Sequence, residues 1–268
     1  MRPTTCHNCH ATTTDPHVDG WKRTTLASRG GRSAYLCPDC ARLLLGYYEK
    51  NDTIRGVSCG GGFTYGVEFE CHNPTVDFRI EMADAGFIPS HDCTTDVEFK
   101  SPVFRSLKWQ KRIDTWETLR NAGAFNLTDD DGTHIHVGHE TYITPATMNI
   151  VRRYVRPLFG PLSDAISRTD PAIVWGRDYN GYCDLGVSRF DRYHFVNVTN
   201  NHTIEFRLCK FASAAQYKAL LKLCKGITER VVKWLASGNI DDDGAMRTGS
   251  AIAKYYRREY AKIAQSLH

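Results

Sequence analysis

Four short segments alternate apolar and polar residues with a period of two, and this constrains the chain more than any other feature. They are Gly66–Cys71 (GVEFEC), Asp96–Pro102 (DVEFKSP), Thr133–Gly138 (THIHVG) and Thr203–Cys209 (TIEFRLC). Successive side chains on a strand point to opposite faces, so each segment divides in two. Val67, Phe69, Val97, Phe99, Ile135, Val137, Ile204, Phe206 and Leu208 belong to a core-facing side. Glu68, Glu70, Glu98, His134, His136, Glu205 and Arg207 belong to the other. If the four strands share one sheet, a single face collects four carboxylates, two imidazoles and a guanidinium.

Helical patterns lie between and after these strands. One runs from Leu107 to Asn121 and stops at Gly123. Thr144-Pro145 is an N-cap and first-turn pair for a second, which Pro157 and Pro161 should kink. Ser213 caps a third, with Leu220, Leu221, Ile227, Val231 and Trp234 on its buried side. Asn239–Ser250 (NIDDDGAMRTGS) reads as a polar loop, and Ala251–Leu267 as a last helix. No regular βαβ alternation is present. The expectation is an α+β fold with a mostly antiparallel sheet and helices on one face.

A face of carboxylates and imidazoles suits hard divalent cations such as Mg²⁺ or Mn²⁺, which prefer oxygen ligands and often share them with substrate phosphates. A cation also relieves the mutual repulsion of close carboxylates. Arg207 can then offset charge on a transferring phosphoryl group. VEFE alone describes any half-exposed strand, and TIEFRL alone an exposed Glu–Arg pair. Paired histidines at i and i+2 on a strand are less common. It is the three together that point to a site. No GxxxxGK[ST] phosphate loop is present. The formal charge of +4 on 268 residues does not call for nucleic acid or an anionic membrane as partner. No apolar run approaches a membrane span and no signal-peptide core opens the chain, so a cytoplasmic location is expected.

The ordered set GVEFE, VEFKSPV, GTHIHVG and VNVTNNHTIEFRL resembles the amidoligases, carboxylate–amine ligases related to glutamine synthetase and glutamate–cysteine ligase. The resemblance runs from about Phe63 to Lys225. It implies a curved glutamine-synthetase-like sheet and a funnel-shaped site that takes ATP at one end and a small-molecule or peptide carboxylate and an amine at the other. It implies that Glu68 and Glu70 serve different metal ions, and that Glu98, His134 and Glu205 are further metal ligands. By the same resemblance His136 lies nearer ATP, Arg207 stands beside the transferred phosphate or acyl group, and Asn197 faces the site. Arg168 and Arg189 fall where the family places substrate or phosphate arginines. The segment before Glu98 is short and polar, so Asp92 or Asp96 could substitute in some role. The implied chemistry is attack of a carboxylate on the γ-phosphoryl group, then displacement of phosphate by an amine. Guanidino kinases share this architecture and give a rival reading. A second rival is a binding protein built on a decayed ligase sheet.

The ten cysteines add a second unit. Cys6/Cys9 and Cys37/Cys40 form two CxxC pairs, the thiolate set of a tetrahedral structural zinc site. Their order, with Cys40 leading into ARLLLGYYEK, indicates a zinc-ribbon or treble-clef-like module over residues 1–50. Zinc would stabilise a unit too small to fold well alone. The Gly-rich stretch 51–62 reads as a linker to a catalytic domain at 63–268. Lys22, Arg23, Arg29 and Arg32 give the module a basic loop, a candidate contact for protein or nucleic acid.

Overall fold

The computed structural model describes residues 3–6, 11–16, 20–26, 32–38, 62–75, 78, 81–82, 85, 87–90, 95–101, 103–104, 110–128, 131–210 and 213–267. Four strands belong to the cysteine module: β1 (Thr4–Thr5), β2 (Thr12–Thr13), β3 (Lys22–Leu26) and β4 (Arg32–Leu36). β1 pairs with β2 and β3 with β4, each antiparallel. Cys6 and Cys37, both buried, leave the ends of β1 and β4, and the Cys37 N–H donates to Cys6 Sγ at 3.3 Å. Cys9, Cys40, the helix expected after them and residues 51–61 of the linker lie outside the described residues.

The remaining strands are β5 (Phe63–Cys71), β6 (Ile88–Ser90), β7 (Val97–Lys100), β8 (Thr133–His139), β9 (Val196–Asn197) and β10 (Ile204–Phe206). They form one six-stranded sheet in the order β6-β7-β5-β8-β10-β9, and every pairing is antiparallel. The α+β expectation therefore holds. The helices are α1 (Gln110–Asn121), α2 (Pro145–Arg153), α3 (Val155–Ile166), α4 (Pro171–Trp175), α5 (Ala214–Ser237) and α6 (Asp242–Leu267).

The apolar face of the sheet forms the core. Phe69 stacks on Trp116 of α1 at 4.8 Å between ring centroids and meets Phe87 edge-on at 5.3 Å. α5 covers β8 on the same face, and α6 packs against α3 and α5. Ser213 caps α5 through the Gln216 N–H, and Gly238 ends it in the left-handed conformation at φ 73°. Thr144 and Thr147 close a capping box on α2.

Two expectations change. The helix after Thr144 is broken at Tyr154 into α2 and α3, rather than bent. Pro157 has no N–H to donate to the Arg153 carbonyl and its ring would collide with it, so a new helix begins with Pro157 in its first turn. Residues 242–250 are helical, not loop. Asp241 caps the start by accepting the Gly244 N–H at 2.6 Å, and Asp242 and Asp243 suit the positive end of the helix. Gly249 is there for close packing: a Cβ would meet the Pro157 carbonyl oxygen of α3 at 2.0 Å.

Candidate active site

Strand register decides which of the charged side chains meet. Glu68 on β5 lies opposite Lys100 of β7 on one side and His134 of β8 on the other. Glu70 lies opposite Glu98. One register step along β8, His136 lies opposite Glu205 of β10, and Glu205 lies opposite Asn197 of β9. The short edge strands β6 and β9 carry no alternating signal of their own. β9 nonetheless delivers Asn197.

Part of the face is nearly as dry as the core, with Glu70, Glu98, His134 and Glu205 6%, 5%, 3% and 4% exposed, while the side chains of Glu68, His136 and Lys100 keep 18%, 15% and 41%. Its geometry resolves into two groups whose ligand-capable atoms lie within 4.8 Å of one another. The first is Glu68, Glu98 and His134; the second is Glu68, His136 and Glu205. Glu68 belongs to both. Its Oε2 lies 3.3 Å from His134 Nδ1 and 3.3 Å from His136 Nε2. Thr203 Oγ1 holds the other His136 nitrogen, Nδ1, at 3.2 Å, which leaves Nε2 aimed at the carboxylates.

Glu205 is the most firmly held of the carboxylates. Its Oε2 accepts from Asn197 Nδ2 at 2.7 Å and Asn200 Nδ2 at 2.9 Å, and its Oε1 from Arg207 Nη1 at 2.7 Å. Arg152 of α2 fixes the turn carrying Asn200: it donates to the carbonyls of Val198, Thr199 and Asn200 at 2.8, 2.8 and 2.9 Å. Asn197 was expected to face a cofactor. Instead its amide is used within the protein, on Glu205 and, through Oδ1, on the Thr199 N–H.

Glu70 stands apart from both groups. Its Oε2 accepts the Gly132 N–H at 2.6 Å, and its Oε1 lies 3.6 Å from His134 Nε2. It therefore anchors the loop entering β8. Gly132 is required there, since a Cβ would lie 2.9 Å from Arg177 Nη1, 3.1 Å from His134 Nε2 and 3.2 Å from Glu70 Oε2. Gly138, at the other end of GTHIHVG, would bring a Cβ to 2.5 Å from Thr64 Oγ1 and 2.6 Å from the His202 carbonyl oxygen.

The arginines are redistributed. Arg168 is exposed just beyond the end of α3, and Arg189 lies in an exposed loop with its guanidinium 4.5 Å from the Phe190 ring. Neither meets the carboxylate face in any described contact. Arg177, which sequence reasoning passed over, reaches the loop entering β8 instead. Gly176, at φ 86°, ends α4 and turns the chain so that Arg177 is buried, donating to the Asp131 carbonyl at 2.9 Å. The sequence offers only the glycine before Arg177 as a signal; that a Cβ on Gly176 would lie 1.9 Å from the Lys210 carbonyl oxygen is set by the fold. Asp96 is in neither group, and its Oδ2 accepts the Asn73 N–H at 2.8 Å. Asp92 lies outside the described residues.

The electrostatics follow from this crowding. Burial, then the neighbouring Glu68 charge, pushes Glu98 up to about 7. Burial opposes ionisation of Glu68 too, but the two imidazoles and Lys100 outweigh it and hold that carboxyl well below its usual range. Glu205 is lowered in the same way: His136, His134 and Arg207 outweigh its burial. His136 is raised to about 9, since the charges of Glu68 and Glu205 overcome its desolvation. Such opposed shifts on neighbouring groups are typical of functional sites.

Residues 73–185 match the family model described as "Putative amidoligase enzyme". The matched span contains Glu98, His134, His136 and Arg177, while the strands carrying Glu68 and Glu205 lie on either side of it. No curated protein matches the chain at a significant level.

Proposed function

We propose that this chain, an amidoligase-family protein over residues 73–185, is an ATP- and Mg²⁺- or Mn²⁺-dependent ligase that joins a carboxylate to an amine through an acyl phosphate. One observation carries this reading. Two ligand groups share Glu68 on a single buried sheet face, with the Arg207 guanidinium joined to one of their members. Carboxylates with imidazole fit a hard divalent ion, and Glu68, His136 and Glu205 are the residues that would hold it. Such an ion supplies charge neutralisation on the phosphate oxygens.

The remaining roles belong to the chain's own side chains. Asn197, Asn200 and Arg207 keep both oxygens of Glu205 in place, so little reorganisation is needed when a polyphosphate arrives. Arg207 is directed at negative charge that spreads over the phosphoryl oxygens during transfer. A substrate carboxylate oxygen bonds to the γ-phosphorus as the bond to the bridging oxygen breaks and ADP leaves. A deprotonated amine then attacks the acyl carbon. Phosphate departs with the C–O electron pair and takes up the surplus amine proton. The sheet is read here as glutamine-synthetase-like on the strength of this chemistry. Purified protein should release phosphate from ATP only when both an acid and an amine are present, with a product lighter by one water than their sum. ADP with a phosphorylated guanidinium and no free phosphate would replace the ligase reading with a kinase.

The cysteine module is proposed to hold structural zinc on Cys6, Cys9, Cys37 and Cys40. The support is the buried approach of Cys6 and Cys37, with a backbone N–H directed at one sulfur. Elemental analysis should find one zinc per chain, released by Cys37→Ser.

A further inference from the structure

The pairing of β7 with β5 sets a fixed cation among the carboxylates. Lys100 lies directly opposite Glu68 and two residues after Glu98 on its own strand, so all three side chains leave the same face. Its Nζ stands 2.8 Å from Glu98 Oε2 and 3.4 Å from Glu68 Oε1. These are two of the three members of the Glu68–Glu98–His134 group. In the other group, Glu68 contributes its second oxygen, Oε2, towards His136. The two oxygens of the shared carboxylate are thus divided: Oε1 faces the ammonium at 3.4 Å, and Oε2 faces both imidazoles, His134 and His136, at 3.3 Å each.

We infer that the Lys100 ammonium takes the place of a second divalent ion in the Glu68–Glu98–His134 group, so that the face holds one such ion, on Glu68, His136 and Glu205. The inference rests on the metal-dependent ligase reading for there being an ion at all, but concerns how many there are. A divalent ion held by Glu68 and Glu98 would compete with Nζ for these carboxylates, because Glu68 Oε1 and Glu98 Oε2 already flank the ammonium. The lysine also has the advantage of its tether. A short flexible tether presents its group at an effective concentration on the order of millimolar, so an incoming ion must displace a cation that never leaves. Register fixes the stem opposite Glu68, so the ammonium is not one of many surface charges that happens to swing close.

The test counts Mn²⁺ bound per chain in the nucleotide-free protein by elemental analysis, with zinc measured separately. Wild type should bind one Mn²⁺, and Lys100→Met, which keeps the stem and removes the charge, should bind two. Glu98→Gln should still bind one, with affinity within about tenfold of wild type, the lower edge of the loss seen when a group beyond the ligands is removed. Two ions in wild type, or one in a folded Lys100→Met, would overturn the inference and leave the ligase reading standing. If Lys100→Met does not fold, wild type and Glu98→Gln decide, because losing the ion in Glu98→Gln makes Glu98 a ligand. No Mn²⁺ in any form would remove both readings together.

Discussion

Both faces of the central sheet carry deeply buried side chains, although Glu68, His136 and Lys100 keep the charged one partly open to water, and the two are held by different forces. On one, Val67, Phe69, Ile135 and Ile204 are 1% exposed or less, and Phe69 is enclosed by Trp116 and Phe87. That burial stabilises the fold by about 1.5–3 kcal/mol for each large side chain. On the other, Glu70, Glu98, His134 and Glu205 are buried to nearly the same degree. Desolvating charge costs free energy that ion pairing only partly offsets. The comparison teaches that the apolar face makes the structure and the charged face draws on it. A sheet that buries carboxylates this close together carries charge that Lys100, the two imidazoles and Arg207 offset only in part.

The sharpest way to break this contrast is Phe69→Ala. It opens a cavity between Trp116 and Phe87 and should lower unfolding free energy by about 3–5 kcal/mol, read from a urea melt. Arg207→Ala tests the opposite face. Glu205 keeps its two asparagine donors, so the protein should stay folded while turnover falls by about a hundredfold or more. An unchanged rate would make Arg207 a structural partner of Glu205 and nothing more.

Next in size is a substitution that should stabilise. Glu98→Gln removes a carboxylate whose ionisation is opposed by burial and by Glu68. At pH 8 without metal the variant should be more stable than wild type by on the order of 1–3 kcal/mol, with a smaller difference at pH 5, where Glu98 is protonated. A destabilised variant at pH 8 would show that the Lys100 contact outweighs the crowding.

The smallest effect is a pH profile. Glu98 and His136 are raised on folding, to about 7 and about 9, so the folded state binds more protons than the unfolded one between the usual and raised values. Their contribution is present at low pH and is lost as pH rises through about 7 and then about 9. Glu68 and Glu205 are lowered and act in the other direction, contributing above the usual carboxylate range and failing below it. Metal-free protein should therefore be most stable at mildly acidic pH and decline towards pH 9. Added Mn²⁺ should flatten the alkaline limb, because ligation favours the deprotonated imidazole. Thermal melts across pH, with and without the ion, check both signs.

What the sequence determined was local. Period-two alternation assigned Glu68, Glu70, Glu98, His134, His136 and Glu205 to one face, because a pleated strand leaves no other choice, though Lys100 was not singled out with them. Thr144 and Ser213 marked helix starts, because capping is a matter of neighbouring residues. The tertiary structure decided everything that depends on partners distant in the chain. Only sheet order and register could set Lys100 and His134 on either side of Glu68, or His136 opposite Glu205, and these follow from packing the whole apolar face. The same holds for Arg177, buried behind the turn at Gly176 while Arg168 and Arg189 stay exposed, and for Gly249, which reads as a loop residue until α3 comes within a Cβ of it. A residue's face is written in its neighbours along the chain; its partners across the sheet are written only in the fold.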